Sequence, residues 1–184
     1  MPRDDLLVWM DLEMTSLVDA RTDQIIEIAV ILTDAELEIV AEGPDLVIHA
    51  KPEQFERIPE SAKELHGASG IIEAAIASRI TREEAEREVL AFLTEYVLPN
   101  TAPLCGNSIH VDRHFLTLQM PRVEEHLFYR CIDVSSVKEL ARRWAPEVYL
   151  ATKENKGESK HRAKDDILAS ISELQSYRAA FFAR

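Results

Sequence analysis

The chain has 184 residues and a formal net charge of −12, long enough for a sizeable core but short for two domains, so a single domain over 1–184 is expected. The acidity argues against tight binding to long duplex nucleic acid, whose affinity comes from Lys and Arg neutralising many phosphates. No stretch approaches membrane-spanning length, and the only apolar run near the start, 6–10, is shorter than a signal-peptide core, so no membrane association and a cytoplasmic location are expected.

Leu6-Leu7-Val8-Trp9-Met10 is a short apolar run that ends abruptly in Asp11-Leu12-Glu13, which predicts a buried central strand whose end carries acids. Residues 24–33 and 37–49 are β-rich runs joined around Asp34-Ala35-Glu36 and read as a hairpin beside the first strand; Pro44 interrupts the second run or places it at an edge. Thr81-Arg82-Glu83-Glu84 is a capping box, and Ala85, Val89, Phe92, Leu93 and Tyr96 follow at helical spacing, so a helix is predicted over 81–97. The exposed acids of that helix account for part of the negative charge as a solvated face.

Pro103-Leu104-Cys105-Gly106-Asn107 reads as a short strand ending in a turn that leads into a helix over 111–118, with Asp112 at its beginning. Cys131-Ile132-Asp133-Val134 reads as a last strand, followed by a helix over 135–144 that Pro146 ends, a polar loop over 152–159, and a C-terminal helix starting near His161 with Ile167, Leu168, Ile171, Leu174 and Tyr177 on its apolar stripe. Cys105 and Cys131 sit beside apolar residues without a second Cys or His at ligand spacing, so both are expected as buried, reduced thiols. The element order describes an α/β layer opened by an antiparallel hairpin, compatible with a ribonuclease H-like sheet.

Asp11 and Glu13 flank Leu12, so on an extended backbone both carboxylates point to one side, where they can ligate hard cations through oxygen. Each remaining polar residue has an ordinary reading when taken alone. Asp112 and the pair Asp165-Asp166 suit helix first turns, and His161 suits a basic surface patch with Lys160, Arg162 and Lys164. The spacing leaves open which of Asp165 and Asp166 faces the other acids.

Taken jointly, the order Asp-x-Glu, Asp, His-x-x-x-x-Asp is similar to the signature of the histidine subtype of DEDD exonucleases. The blocks Trp9-Met10-Asp11-Leu12-Glu13-Met14-Thr15, Cys105-Gly106-Asn107-Ser108, Tyr129-Arg130, Asp133-Val134-Ser135-Ser136, Lys138-Glu139-Leu140-Ala141-Arg142-Arg143-Trp144 and His161-Arg162-Ala163 extend the likeness over nearly the whole chain, which resembles the oligoribonucleases. The resemblance implies a ribonuclease H-like three-layer α/β fold with a mixed five-stranded sheet flanked by helices. It also implies 3′-to-5′ hydrolysis of short RNA oligonucleotides, dinucleotides especially, to mononucleotides.

In that scheme two divalent cations, Mg²⁺ or Mn²⁺, are held by Asp11, Glu13, Asp112 and Asp166, the last preferred over Asp165 by family spacing, and His161 is the general base. The resemblance further implies a homodimer in which Tyr129 reaches the partner's site. Ser108, Arg130 and Ser135 would contact the terminal phosphate, Leu17 would wedge against a base, and His66 would lie near the nucleotide. Three departures stand out: Ser16 replaces a glycine; Ser61 stands where several members carry a tryptophan, so one base-stacking contact is either lost or supplied by another residue such as Phe55; and the loop 153–160 is longer and more basic than usual. A proofreading-type DNA exonuclease and a catalytically silent nucleic-acid-binding dimer are the alternatives.

Overall fold

The computed structural model describes residues 1–56, 58–155 and 162–182. Strand β1 (Leu7–Met14) is central and does not stop at the acids: its antiparallel ladder with β2 (Ile25–Thr33) continues through Asp11 opposite Ala29 and Glu13 opposite Glu27. The acids therefore sit inside the strand, and the ladder becomes irregular only between Glu13 and Met14. β3 (Ile39–Val47) completes the hairpin as an edge strand, and Pro44 falls where its pairing with β2 is interrupted, as a residue without an N–H requires.

Three short helices, α1 (Pro52–Glu56), α2 (Glu60–Ser69) and α3 (Ile71–Ala77), follow, the last two divided by Gly70 in the left-handed conformation at φ 69°. Helix α4 (Arg82–Tyr96) begins at the expected capping box: Glu84 N donates to the Thr81 side chain, and Thr81 N donates to the Glu84 carboxylate. β4 (Pro103–Gly106) leads through Asn107 and Ser108 into α5 (His110–Gln119), then α6 (Pro121–His126), which Pro121 opens.

β5 (Phe128–Asp133) begins three residues earlier than the sequence pattern indicates and forms the far edge of the sheet. That position leaves Cys131 exposed, correcting the expectation of two buried thiols; Cys105, on the inner strand, is buried. Helix α7 (Val134–Trp144) ends before Pro146 as expected, but Pro146 also opens α8 (Pro146–Asn155), so 152–155 are helical rather than loop. A proline costs a helix nothing at its first position, where the N–H has no partner anyway. Residues 156–159 of the expected loop lie outside the described residues, and α9 (Ala163–Phe181) closes the fold.

Among the described residues the sheet is five-stranded and mixed, in the order β3-β2-β1-β4-β5, with β1, β2 and β3 antiparallel and β4 parallel to both β1 and β5. Alternation along β1 splits its side chains between two layers. Val8, Met10, Leu12 and Met14 join Ala85, Val89 and Leu93 of α4 and Phe115 and Leu116 of α5 in the larger core. Trp9 joins Val134 and Ala141 of α7 and Ile167, Ile171 and Tyr177 of α9 on the other face, where its indole N–H donates to Thr33 Oγ1 at 3.0 Å. Asp11 and Glu13 share Trp9's parity, so they face α9. Among the described residues no helix is long and apolar enough to cross a membrane.

Candidate active site

β4 pairs with β1 only at Val8 and Trp9, and Gly106 ends it close against the first strand: a Cβ there would meet Met10 O at 3.1 Å and Ile109 Cδ1 at 2.8 Å. Beyond that point Leu12 N donates to Asp112 Oδ1 at 3.0 Å, which ties the first turn of α5 to the end of β1. From the other side α9 brings Asp166. One carboxylate oxygen each from Asp11, Glu13 and Asp166 lies within 4.8 Å of the other two.

These residues form the floor of a cleft of about 680 Å³ whose walls include Leu17, Val18, His66, Ser108 and Asp112. Its size falls in the range of about 300–1,000 Å³ usual for small-ligand sites. Asp112 lines the cleft and is buried, but it stands outside the three-carboxylate group. Asp166 rather than Asp165 lines the cleft, on the first turn of α9.

Burial pushes the Asp11 carboxyl well above its usual range, and repulsion from Asp112, Glu13, Asp166 and Glu27 adds to the shift. Glu13 is pushed up to about 8, first by burial and then by Glu27, Asp166 and Asp112, with Arg162 opposing. Asp112 is also raised by burial, against the opposing hydrogen bond from Leu12 N. Carboxylates held at such close range fit a hard divalent cation, which takes oxygen ligands and would relieve the repulsion. His66 is buried on α2 with Nδ1 4.0 Å from Glu13 Oε2.

At the cleft mouth Leu17 is 68% exposed. The turn before it is held without glycine: Ser16 Oγ donates to Asp23 Oδ2 at 2.7 Å, and that same oxygen accepts from Val18 N at 3.0 Å and Asp19 N at 2.8 Å. On the β4 side Ser108 N donates to Ser135 Oγ at 3.0 Å, so the two serines sit together although 27 positions apart. Asn107, to which the sequence reading gave no role, joins them to α9. Its Oδ1 accepts from Ser135 Oγ at 3.0 Å and Lys138 Nζ at 3.1 Å, and its amide donates to Ser170 Oγ at 2.8 Å.

Tyr129 and Arg130 are not among the residues lining the cleft of this chain. Both are exposed on the edge strand β5, Tyr129 at 69%, with the Arg130 guanidinium 5.3 Å from its ring centroid. Phe55 is buried with Ile26, Ala50, Ile58 and Ile71, so it does not offer a stacking surface in place of the family tryptophan. His161 and the side chain of Ser61 lie outside the described residues. Sequence reasoning also missed Glu27. Its signal was a lone acid inside the apolar run Ile25-Ile26-Glu27-Ile28-Ala29-Val30-Ile31-Leu32.

A profile of the exonuclease family, of the RNase T type, matches residues 8–174. An oligoribonuclease of Acinetobacter baylyi is 49% identical over 98% of this chain and 96% of its own length. The mitochondrial oligoribonuclease of Homo sapiens is 49% identical over 96% of this chain and 73% of its own length. Among solved structures, S. pombe Pop2p, in a form with Mg²⁺ and Mn²⁺ bound, matches with a TM-score of 0.72 at 15% identity, over 96% of this chain and 84% of that one. Exonuclease I of Methylocaldum szegediense matches with a TM-score of 0.67 at 20% identity, over 96% of this chain and 41% of that one. This chain thus spans about two fifths of exonuclease I, and at such identities the likeness is one of fold.

Proposed function

The chain belongs to the oligoribonucleases of the exonuclease family, and from that premise we propose that it is a single-domain 3′-to-5′ exoribonuclease that reduces very short RNAs, dinucleotides above all, to 5′-mononucleotides. The observation that carries this reading is the convergence of Asp11, Glu13 and Asp166 within 4.8 Å on the floor of a cleft. Asp11, Glu13, Asp166 and the adjoining Asp112 would hold two divalent cations, Mg²⁺ or Mn²⁺. When bound, such ions supply Lewis acidity for water activation and for the departing oxygen.

The protein's own groups do the rest. His161 takes the proton of the attacking water, a task suited to a side chain titrating near neutrality. Leu17, held by the Ser16–Asp23 turn, presses on a base at the open end of the cleft, and His66 bounds the nucleotide beside Glu13. The Ser108–Ser135 pair receives the terminal phosphate, which limits how much RNA fits. Arg130 joins that phosphate site and Tyr129 serves the partner's cleft in a homodimer; their exposure on edge strand β5 suits a role across an interface. Cytoplasmic RNA turnover is the setting this reading implies, and the net charge of −12 disfavours long duplex substrates.

The test is a time course on 5′-labelled RNAs from the dinucleotide to a heptanucleotide, with Mn²⁺ or with chelator. Metal-dependent release of mononucleotides, fastest from the dinucleotide, supports the reading. Equal or faster cleavage of the longest RNA contradicts the short-substrate site, and preference for long single-stranded DNA would make the chain a DNA exonuclease.

A further inference from the structure

Glu27 is the lone acid of β2, a strand buried along its whole length, and is itself 1% exposed. It lies directly opposite Glu13 in the ladder and on the same face of the sheet. A buried carboxylate in that place could serve as a further cation ligand, but both its oxygens are committed elsewhere. Oε1 accepts from Arg162 Nε at 2.8 Å and Nη2 at 2.5 Å, and Oε2 accepts from Ala163 N at 3.0 Å.

Those partners mark the start of α9. Arg162 occupies the position before the helix and offers no side-chain cap of its own, so the first-turn N–H is satisfied by a carboxylate from a strand 136 positions away. The helix N-terminus and the guanidinium together balance the charge that burial would otherwise make untenable. Lys164 Nζ adds a second tie, 2.7 Å from Glu42 Oε2 on β3. Asp166 follows one turn into the same helix, and Arg162 is next in sequence to His161.

We propose that Glu27 is a positioning residue: by gripping Arg162 and capping α9 across the sheet, it sets Asp166 against Asp11 and Glu13 and so fixes the geometry of the cation-binding cleft. The inference rests on the reading of that cleft as a nuclease site. It predicts an effect opposite in sign to that of charge alone. Removing the Arg162 cation beside a cluster of acids should, by electrostatics, tighten cation binding; if the grip positions Asp166, binding should weaken instead.

The experiment measures Mn²⁺ affinity by titration calorimetry, and kcat and KM on a diribonucleotide, for the wild type, Arg162→Met and Arg162→Lys, with folding checked by circular dichroism. In Arg162→Met, Mn²⁺ affinity and kcat should each fall by about tenfold to a hundredfold, the usual cost of losing a group that orients a ligand, with KM little changed. Arg162→Lys, which keeps the charge and loses the two-pronged contact, should recover part of the loss. Asp166→Asn should cost less in the Arg162→Met background than in the wild type, because both changes act through one element.

Tighter or unchanged Mn²⁺ binding with unchanged kcat in folded Arg162→Met overturns the proposal. Should that variant not fold, Arg162→Lys decides: wild-type affinity and kcat overturn the proposal, and a loss in both supports it. A wild type that fails to cleave the dinucleotide contradicts the nuclease reading instead, while the Mn²⁺ titrations still test the positioning claim.

Discussion

On one face of β1, Val8, Met10, Leu12 and Met14 are buried among the side chains of α4 and α5; on the other, Trp9 is followed by Asp11 and Glu13, which meet Asp166 of α9. The first face gains from exclusion of water from apolar surface, at about 25 cal/mol per Å². The second holds carboxyl groups whose pKa values are raised by burial and mutual repulsion, and it is correspondingly unfavourable for folding without a cation. One strand can carry both because successive side chains point to opposite faces. The stabilising layer keeps the backbone rigid beneath acids that are held closer together than they would stay in solution.

The contrast breaks most visibly at Asp11. Asp11→Ala should lower turnover by about a thousandfold, equivalent to about 4 kcal/mol of transition-state stabilisation, while circular dichroism and metal-free Tm show a fold at least as stable as the wild type. Retained turnover would contradict the assignment of the cleft. The mirror experiment is Leu93→Ala on α4, a fully buried side chain of the apolar face. It should lose about 2–5 kcal/mol of stability in urea unfolding and leave turnover per folded molecule unchanged; a selective loss of turnover would show that the two faces are not separable.

A smaller effect is expected from pH. A carboxyl pKa raised by folding means that the folded chain holds a proton which the unfolded chain has already released, so stability from this source is present below about pH 4 and is lost as the pH rises through the folded value. For Glu13 the window runs up to about 8. Metal-free unfolding free energy should therefore rise as pH is lowered from about 8 to about 6, by roughly 1 kcal/mol per pH unit, with Tm rising alongside it, and Glu13→Gln should flatten that slope. Saturating Mn²⁺ should oppose the trend, because it binds the ionised carboxylates. A metal-free Tm that falls toward pH 6 would contradict the electrostatic account.

The smallest effect concerns the cleft mouth. Ser16→Gly removes the Ser16–Asp23 hydrogen bond but leaves the two backbone N–H bonds to Asp23. It should cost about 1 kcal/mol or less in stability and show chiefly as a higher KM for the dinucleotide. An unchanged KM would mean that the turn bearing Leu17 does not depend on that side chain.

What the sequence disclosed depended on how far apart the interacting residues lie. The alternation Asp11-Leu12-Glu13 and the capping box at Thr81 are local, so spacing alone identified a shared carboxylate face and a helix start. Whether Asp165 or Asp166 turns inward depends on how α9 is set against the sheet, where Glu27, 136 positions before Ala163, accepts from its first-turn N–H. The joining of Ser108 to Ser135 through Asn107 is likewise a product of the parallel β4–β5 pairing. Helices α1, α3 and α6, of five to seven residues, are too short for a hydrophobic period to accumulate. Cys131 reads as an interior residue by its neighbours, and only the sheet order makes its strand an edge.

Under the function proposed above, Asp11, Glu13, Asp112 and Asp166 together hold the cations that act on RNA. The most direct measurement is anomalous diffraction from crystals of the protein grown with Mn²⁺ and a slowly cleaved phosphorothioate diribonucleotide. Manganese peaks between these four carboxylates and the scissile phosphate are the predicted result. A dinucleotide bound in the cleft with no manganese at the carboxylates, or manganese bound only elsewhere, would contradict it.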